Sequence, residues 1–289
     1  MDAQTKGNGP LYALFAVLVL SCALGNFSQT ATNGMMLAMG GQLGFAPELG
    51  QWLTTAYMLV MGITVPCVAF LAKRFSTRNV TCAAIIVFLA GSMLDAMASC
   101  FWMLLAGRIL QAISTGITLP LMQNLPAMRF PAGLKATAMG IAGIALGFAP
   151  NVGPILGGWA AETVGWRVVF IGMAAVCLLL VVCNVLFSEV DQVAERSASL
   201  DTASLVLSTL GFGGLLFGIS NASSAGLASP VVWGCAIAGA ILIAIFLKRQ
   251  AKVDTPLINL RILQSKRFVW VLAVQCALLA SYMGITLIA

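Results

Sequence analysis

The sequence has 289 residues, of which 60% are hydrophobic and 8% are charged, whereas charged residues make up roughly 25% of an ordinary soluble domain. This composition excludes a soluble globular protein and predicts a chain that crosses a membrane many times. The net charge is +6, but the basic residues stand at the ends of apolar runs. They therefore indicate membrane topology rather than a nucleic-acid surface.

Apolar runs of about 20 residues, the length that crosses a bilayer, recur along the chain. They predict nine spans, at 11–32, 52–72, 80–99, 101–125, 136–160, 166–187, 201–220, 231–248 and 268–289. The predicted organisation is a six-span bundle over 1–187, an acidic cytoplasmic connection over 188–200, two additional spans within 201–250, a basic cytoplasmic loop over 251–267 and a last helix over 268–289. That helix ends without a polar tail, so we expect a truncated chain.

The positions of Lys and Arg predict the orientation in the membrane. When the N-terminus and every second loop are placed in the cytoplasm, the basic residues outside the cytoplasm are Arg108, within a span, and Arg167, in an outer loop. An excess of basic residues in cytoplasmic loops is the rule for membrane proteins. We expect a protein integral to the cell membrane, a bacterial inner membrane, with a cytoplasmic N-terminus.

The first span carries a stripe of polar side chains. Asn26, Gln29, Thr30 and Asn33 follow the helical spacing i, i+3, i+4, i+7, so they share one face. Such residues can form interhelical hydrogen bonds or line a cavity. Their concentration in one span favours a cavity lining.

The fourth span contains a deep arginine, Arg108. An arginine near the bilayer centre costs something like 2.5 to 3.5 kcal/mol on insertion scales. Helical geometry places Gln111, Thr115 and Gln123 near Arg108 on one face, which we expect to look into a bundle or a wet cavity. The alternative is an arginine whose side chain extends to the lipid headgroups.

The fifth span is unusually rich in glycine and proline over 140–158. Gly143 and Gly147 are four residues apart, as are Gly153 and Gly157, so each pair can let another helix approach closely. The segment could serve tight packing alone, or it could form a contact that bends and slides during a transport cycle. The candidate motif residues are Gly143, Gly147, Pro150, Gly153, Pro154, Gly157 and Gly158.

Carboxylates that could carry a coupled proton are scarce in the spans. Asp95 and Glu162 stand at the outer ends of the third and fifth spans, so we expect both at the membrane interface. The chain also has eight cysteines without CxxC spacing and no histidine, a pattern typical of core cysteines rather than of zinc ligands or disulfides. We expect neither an enzyme nor a metal or cofactor.

Four motifs together resemble the major facilitator superfamily, and within it the fourteen-span drug:proton antiporter branch of bacterial multidrug exporters. The fifth-span segment ending APNVGPILGGW resembles the antiporter motif of that branch. LLAGRILQAISTG resembles the fourth-span motif RxxQGxG, with Arg108 and Gln111 matching and Ala112 replacing a glycine. GWRVVF at 165–170 and QWLTTAYML at 51–59 are similar to the beginnings of the family's sixth and second spans.

Two motifs depart from the family pattern. FSQTATNGMML in the first span aligns with LDxTxxNxALP at Thr30 and Asn33, but Ser28 stands at the acidic position. The loop LAKRFSTRNV resembles the family's gating loop GxLaDRxGRR, yet Lys73 stands at its acid. The predicted cytoplasmic gate loop consists of Lys73, Arg74 and Arg78, and Arg74 is its clearest match.

The resemblance implies an all-α polytopic membrane protein with a six-helix N-terminal bundle, two extra spans and the first helix of a second bundle. It implies secondary active export of amphipathic or hydrophobic compounds by alternating access, in exchange for protons. The implied partners are a small-molecule substrate, protons, the lipid bilayer and a periplasmic adaptor protein, and no nucleic acid.

Two other functions remain open. The same fold could carry a specific metabolite or anion, with Arg108 binding a substrate carboxylate. The chain could also be a truncated membrane protein that transports nothing, because alternating access requires two bundles that rock against each other. We expect that these 289 residues alone move no substrate.

Overall fold

The computed structural model describes residues 9–188, 202–225 and 229–250, together with Ser265 and residues 269–271, 273–275 and 277–278. Eight long helices are described in this part of the chain. They are α1 (Gly9–Leu43), α2 (Pro47–Arg74), α3 (Thr77–Ala96), α4 (Phe101–Arg129), α5 (Ala132–Thr163), α6 (Trp166–Phe187), α7 (Thr202–Ala225) and α8 (Pro230–Gln250).

The helices have the length and composition of membrane spans. Seven of those in the described ranges are long and apolar enough to cross a bilayer, namely α1 to α6 and α8, while α7 contributes the shorter apolar stretch Val206–Gly218. The predicted all-α membrane fold is therefore confirmed. The predicted connection over 188–200, the basic loop over 251–267 and the last helix over 268–289 fall largely outside the described residues.

Short connections between the helices follow from local sequence. Gly44 and Gly165 have φ angles of 72° and 90°, which residues with a Cβ rarely adopt, and they lie at the α1–α2 and α5–α6 connections. Pro47 begins α2, and its lack of an amide proton removes no helical hydrogen bond because the first amides of a helix have no partner within it. Ser76 accepts a hydrogen bond from the Asn79 amide and caps α3, and two residues separate the end of α2 from the start of α3.

Helix α4 is the centre of the six-helix bundle. It packs mainly against α3, α2 and α1, while α1 also packs closely on α5 and α3 on α6. Helices α7 and α8 pair with each other, and α7 lies on α2. Glycines allow the closest approaches, as expected where helices associate inside a bilayer: a Cβ at Gly91 of α3 would overlap the backbone of α4, and one at Gly239 of α8 would overlap α7.

Two apolar clusters fill the bundle. One contains Phe101 and Leu104 from the start of α4, and the other contains Leu121, Met122 and Leu125 from its second half. The buried polar residues of α4 lie between these two groups. The fold thus places a polar layer between two apolar layers inside the bundle.

Candidate functional site

Arg108 is completely enclosed by protein, with an exposed fraction of 0%. One terminal nitrogen, NH1, donates to Ser28 Oγ of α1 at 2.6 Å and to Gln111 Oε1 of its own helix at 2.7 Å. The guanidinium carbon lies 4.4 Å from the centroid of the Tyr57 ring of α2. Three helices therefore hold this cation away from lipid.

Gln111 connects Arg108 to a fourth helix, α3. Its Oε1 also accepts from Ser28 Oγ at 2.8 Å, and its Nε2 donates to Ser92 Oγ of α3 at 3.0 Å. Ser28, Ser92 and Gln111 have exposed fractions of 0%. Because buried polar groups must find partners within the protein, this network fixes the mutual positions of α1, α3 and α4.

The Tyr57 hydroxyl lies on the other side of Arg108 and joins α1 to α4. It is 2.9 Å from the Gly25 carbonyl oxygen and 2.6 Å from Thr115 Oγ1, and Thr115 Oγ1 also lies 3.0 Å from the Gln111 carbonyl oxygen. Two hydroxyl protons thus serve three contacts, so two donor patterns are possible. Either Tyr57 donates to Gly25 and Thr115 to Tyr57, or Tyr57 donates to Thr115 and Thr115 to Gln111.

Asp95 is buried against α4, one residue before the end of α3. Its exposed fraction is 0%, and its expected depth at the membrane interface stays a prediction. A Cβ at Gly107 would overlap the Asp95 carboxylate, so glycine at this position of α4 makes the space in which Asp95 lies. Helix α4 covers this end of α3, so Asp95 is buried within the protein although it lies near a helix end.

These residues form one buried site, which we call the Arg108 cluster. It consists of Ser28, Tyr57, Ser92, Asp95, Arg108, Gln111 and Thr115. Four helices contribute to it. The sequence predicted Arg108, Gln111 and Thr115, while the other four were not among the predicted site residues.

The remaining predicted cavity residues lie outside this cluster. Gln123 is exposed at the far end of α4 from Arg108, although helical periodicity placed it near that face. Asn26, Gln29 and Thr30 are half-buried and Asn33 is exposed. Asn26 and Thr30 bond to carbonyls of their own helix, and Asn33 Oδ1 accepts from Thr54 of α2 at 2.8 Å.

The glycine-rich motif of α5 has two different faces. Gly153 and Gly157 lie against Thr30 and Ala31 of α1, where a Cβ would overlap the α1 backbone. At Gly143 and Gly147, by contrast, a Cβ would meet no atom within 4 Å in the described part of the chain. Pro150 and Pro154 lie inside the helix, and Gly158 lies beside Gly34.

The described residues of the predicted gate loop make separate contacts in this structure. Arg74 is exposed, with its guanidinium carbon 6.0 Å from the ring centroids of Phe70 and Phe75. Arg78 donates instead to the carbonyls of Asn184 and Val185 at the end of α6. The side chain of Lys73 is outside the described residues.

Comparison with known proteins establishes the family. Residues 18–289 match the model of the Major Facilitator Superfamily. The chain belongs to this superfamily. It is 36% identical to the lincomycin resistance protein LmrB of Bacillus subtilis over 255 residues, which cover 87% of this chain and 53% of that protein. It is also 36% identical to the uncharacterized MFS-type transporter YhcA of the same organism, over 86% of this chain and 47% of that protein.

A more distant relative is the multidrug efflux pump SdrM of Staphylococcus aureus, which is 28% identical over 70% of this chain and 43% of that protein. The chain spans about half the length of the curated relatives it matches. These relatives place it among superfamily members named for drug resistance and drug efflux, as the motifs predicted.

Solved structures of the superfamily share the fold. An inward-facing, unoccupied bacterial homologue of the human lysosomal transporter Spinster gives a TM-score of 0.54 at 15% identity, over 83% of this chain and 61% of that one. The POT family transporter PepTSo gives a TM-score of 0.54 at 18% identity, over 86% and 57%. Identities this low show the fold alone.

Proposed function

We propose that this chain contributes the N-terminal bundle of a secondary transporter that exports amphipathic or hydrophobic drugs in exchange for protons. In this proposal residues 1–187 form the bundle, with the N-terminus in the cytoplasm of a bacterial inner membrane. Alternating access then comes from rocking against a second bundle around a midplane site. The substrate class is proposed by analogy with LmrB and SdrM, whose names refer to lincomycin resistance and multidrug efflux.

The observation that carries the proposal is the enclosed Arg108 cluster between two apolar layers. A charged side chain inside a membrane protein is costly, and such residues mark substrate or ion pathways. Arg108 contacts α1, α2 and its own helix α4 at once, so a movement of any of these helices changes its environment. This is the property that a coupling site requires.

The α5 motif supports the proposal as a second feature. The face with Gly153 and Gly157 packs on α1. The face with Gly143 and Gly147 has no neighbour among the described residues. We propose that this second face packs on the other bundle of the transporter. Small residues on both faces would let α5 slide between two neighbours during the cycle.

Replacement of Arg108 in the full-length transporter tests the proposed function. Arg108→Ala should abolish resistance to lincomycin and ethidium in a drug-sensitive host, and Arg108→Lys should restore part of it, because the cation over Tyr57 is kept. Leu179→Ala, which shortens an exposed side chain of α6, is the matched control for membrane insertion. Full resistance with Arg108→Ala at equal membrane levels would exclude the proposal.

A carrier for a specific anion is the second candidate, and one observation favours it. Arg108 Nε and NH2, the edge of the guanidinium that binds carboxylates with two hydrogen bonds, have no partner in the structure. Saturable uptake of labelled carboxylates that Arg108→Gln abolishes, together with unchanged drug resistance, would select this function instead.

A further inference from the structure

Asp95 is an acidic and Arg108 a basic residue, both fully buried and on adjacent helices, yet they do not bond to each other. Among the described residues, neither carboxylate oxygen of Asp95 has a hydrogen-bond partner, and Arg108 Nε and NH2 have none either. An ionised carboxylate buried without a donor or counter-ion is very costly, and a neutral carboxyl group is far cheaper to bury. The absence of a partner therefore favours the neutral form of Asp95 over the ionised form, beside an Arg108 edge that is available for pairing.

On α2 and α6, the charged residues lie at helix ends or bond to other groups, so Arg108 is the charge that acts on Asp95. Helix α6, which packs on α3, carries Arg167 as its one charged residue, and this side chain donates to the Ala98 carbonyl and to Gln42. Helix α2 presents the Tyr57 ring to Arg108, and its charged residues Glu48, Lys73 and Arg74 stand at its ends. Helix α1 has no acidic or basic residue.

We propose that Asp95 is the residue that binds and releases the transported proton, and that Arg108 is the group that competes with that proton. This inference rests on the proposed proton-coupled export. It also answers the question raised by Ser28, which stands where the resemblance places an acid in the first span. Here the carboxylate comes from α3 and lies against Gly107, the residue before Arg108 in α4.

The cycle has two states of this pair. In the described conformation the Asp95 carboxyl group holds the proton and the Arg108 edge formed by Nε and NH2 is unpaired. When Asp95 gives its proton to water on one side of the membrane, the carboxylate and the guanidinium attract each other, and α3 and α4 shift to form the pair. Gly91 and Gly107 lie at this contact, where an added Cβ would overlap the neighbouring helix. Reprotonation from the other side breaks the pair and resets the bundle.

The test uses the full-length transporter in proteoliposomes, with labelled lincomycin and ethidium as probes. Asp95→Asn replaces the carboxyl group by an amide of similar shape. Accumulation driven by a pH gradient should fall to background, while exchange of the probe without a gradient should stay within about twofold of wild type. Glu162→Gln, which neutralises an exposed carboxylate of α5, should leave both activities unchanged.

The outcomes separate this inference from the proposed function. If the wild type accumulates neither probe under a pH gradient, proton-coupled drug export itself is excluded. If the wild type does so and Asp95→Asn does too, export stands and the role of Asp95 is excluded. Loss of exchange together with accumulation in Asp95→Asn would assign Asp95 to substrate binding or structure, and would also overturn the inference.

A second measurement needs no variant and covers the case in which Asp95→Asn fails to fold. An apolar carbodiimide adds to protonated carboxyl groups in apolar surroundings and leaves a stable mass label. In the wild type, peptide analysis should find the label on Asp95, with more labelling at acidic than at alkaline pH and less when lincomycin is bound. Inhibition of transport by the reagent without label on Asp95 would overturn the inference.

Discussion

The Tyr57 ring lies directly beside the Arg108 guanidinium, with 4.4 Å between the ring centroid and Cζ. The ring face is the negative end of the aromatic quadrupole, so it stabilises a cation that has lost its water. The hydroxyl of the same residue also joins α1 to α4 through Gly25 and Thr115. One side chain therefore supports both the charge and the helix packing of the site.

Substitutions of Tyr57 separate these two contributions. Tyr57→Phe keeps the ring and removes the hydroxyl, so it should lower the unfolding free energy by about 1 kcal/mol and keep measurable export. Tyr57→Ala also removes the ring and leaves a cavity, so a loss of roughly 3 to 5 kcal/mol is expected, with export abolished. Thermal unfolding in detergent and drug resistance measure the two effects. Equal losses for Phe and Ala would contradict a role of the ring in holding Arg108.

The α5 glycines give a comparison within one helix. Gly157→Ala should destabilise the bundle, because the added Cβ would overlap the Ala31 backbone of α1. Gly143→Ala adds a Cβ to open space, so the N-terminal bundle should fold with unchanged thermal stability. Small-to-large changes in a packed contact cost about 1 to 3 kcal/mol. The idea that the two faces have different partners would be wrong if both variants unfold at the same temperature.

Much of the fold could be predicted from the sequence because a bilayer leaves few choices for the backbone. The apolar runs predicted every described span. The observed helix bounds differ from the predicted ones: α1, for example, extends to Leu43 instead of residue 32. Burial of Arg108 inside a bundle followed from the cost of exposing it to lipid. Periodicity then placed Gln111 and Thr115 with it.

The partners of Arg108 on other helices could not be predicted in the same way. Periodicity assigns residues to a face of one helix, but it does not say which faces meet, so Tyr57 and Ser92 were missed. Ser28 stands out in the sequence only as a departure from a motif, although its hydroxyl oxygen accepts a hydrogen bond from Arg108. For Asp95 a signal was present: Ser92 and Asp95 are three residues apart, and Gly91 beside them permits a close neighbour.

The contact between Arg78 and Asn184 is expected to clamp α3 to α6. Arg78 Nε donates to the Asn184 carbonyl at 3.3 Å, and Asn184 Nδ2 donates to the Arg78 carbonyl at 3.0 Å. Asn184→Leu should lower stability by about 1 kcal/mol, because it removes the hydrogen bond that Asn184 Nδ2 donates to the Arg78 carbonyl. Thermal unfolding measures the loss, and Leu186→Ala, at an exposed position of the same helix, serves as the control. A stability equal to wild type would show that water replaces the contact.

A carboxylate introduced at Ser28 should take over from Asp95. Ser28 Oγ lies 2.6 Å from Arg108 NH1, so Ser28→Asp places an acid in direct contact with the same guanidinium. The Gln111 amide then has to turn so that its NH2 group faces the new carboxylate, and the Ser92 hydroxyl can donate to the turned oxygen. The turn ends the hydrogen bond from Arg108 NH1 to Gln111 Oε1, and the new carboxylate becomes the acceptor for that nitrogen.

The double variant Asp95→Asn/Ser28→Asp is therefore expected to recover the gradient-driven lincomycin accumulation that Asp95→Asn loses. Asp95→Asn/Gln29→Glu is the matched control, because Gln29 is the next residue of α1, is half-buried and lies on a different face of the helix from Ser28. Accumulation in proteoliposomes under a pH gradient measures the rescue. If the control recovers transport as well as the double variant, proximity to Arg108 is not what coupling requires; if neither recovers it, a carboxylate beside Arg108 is not sufficient.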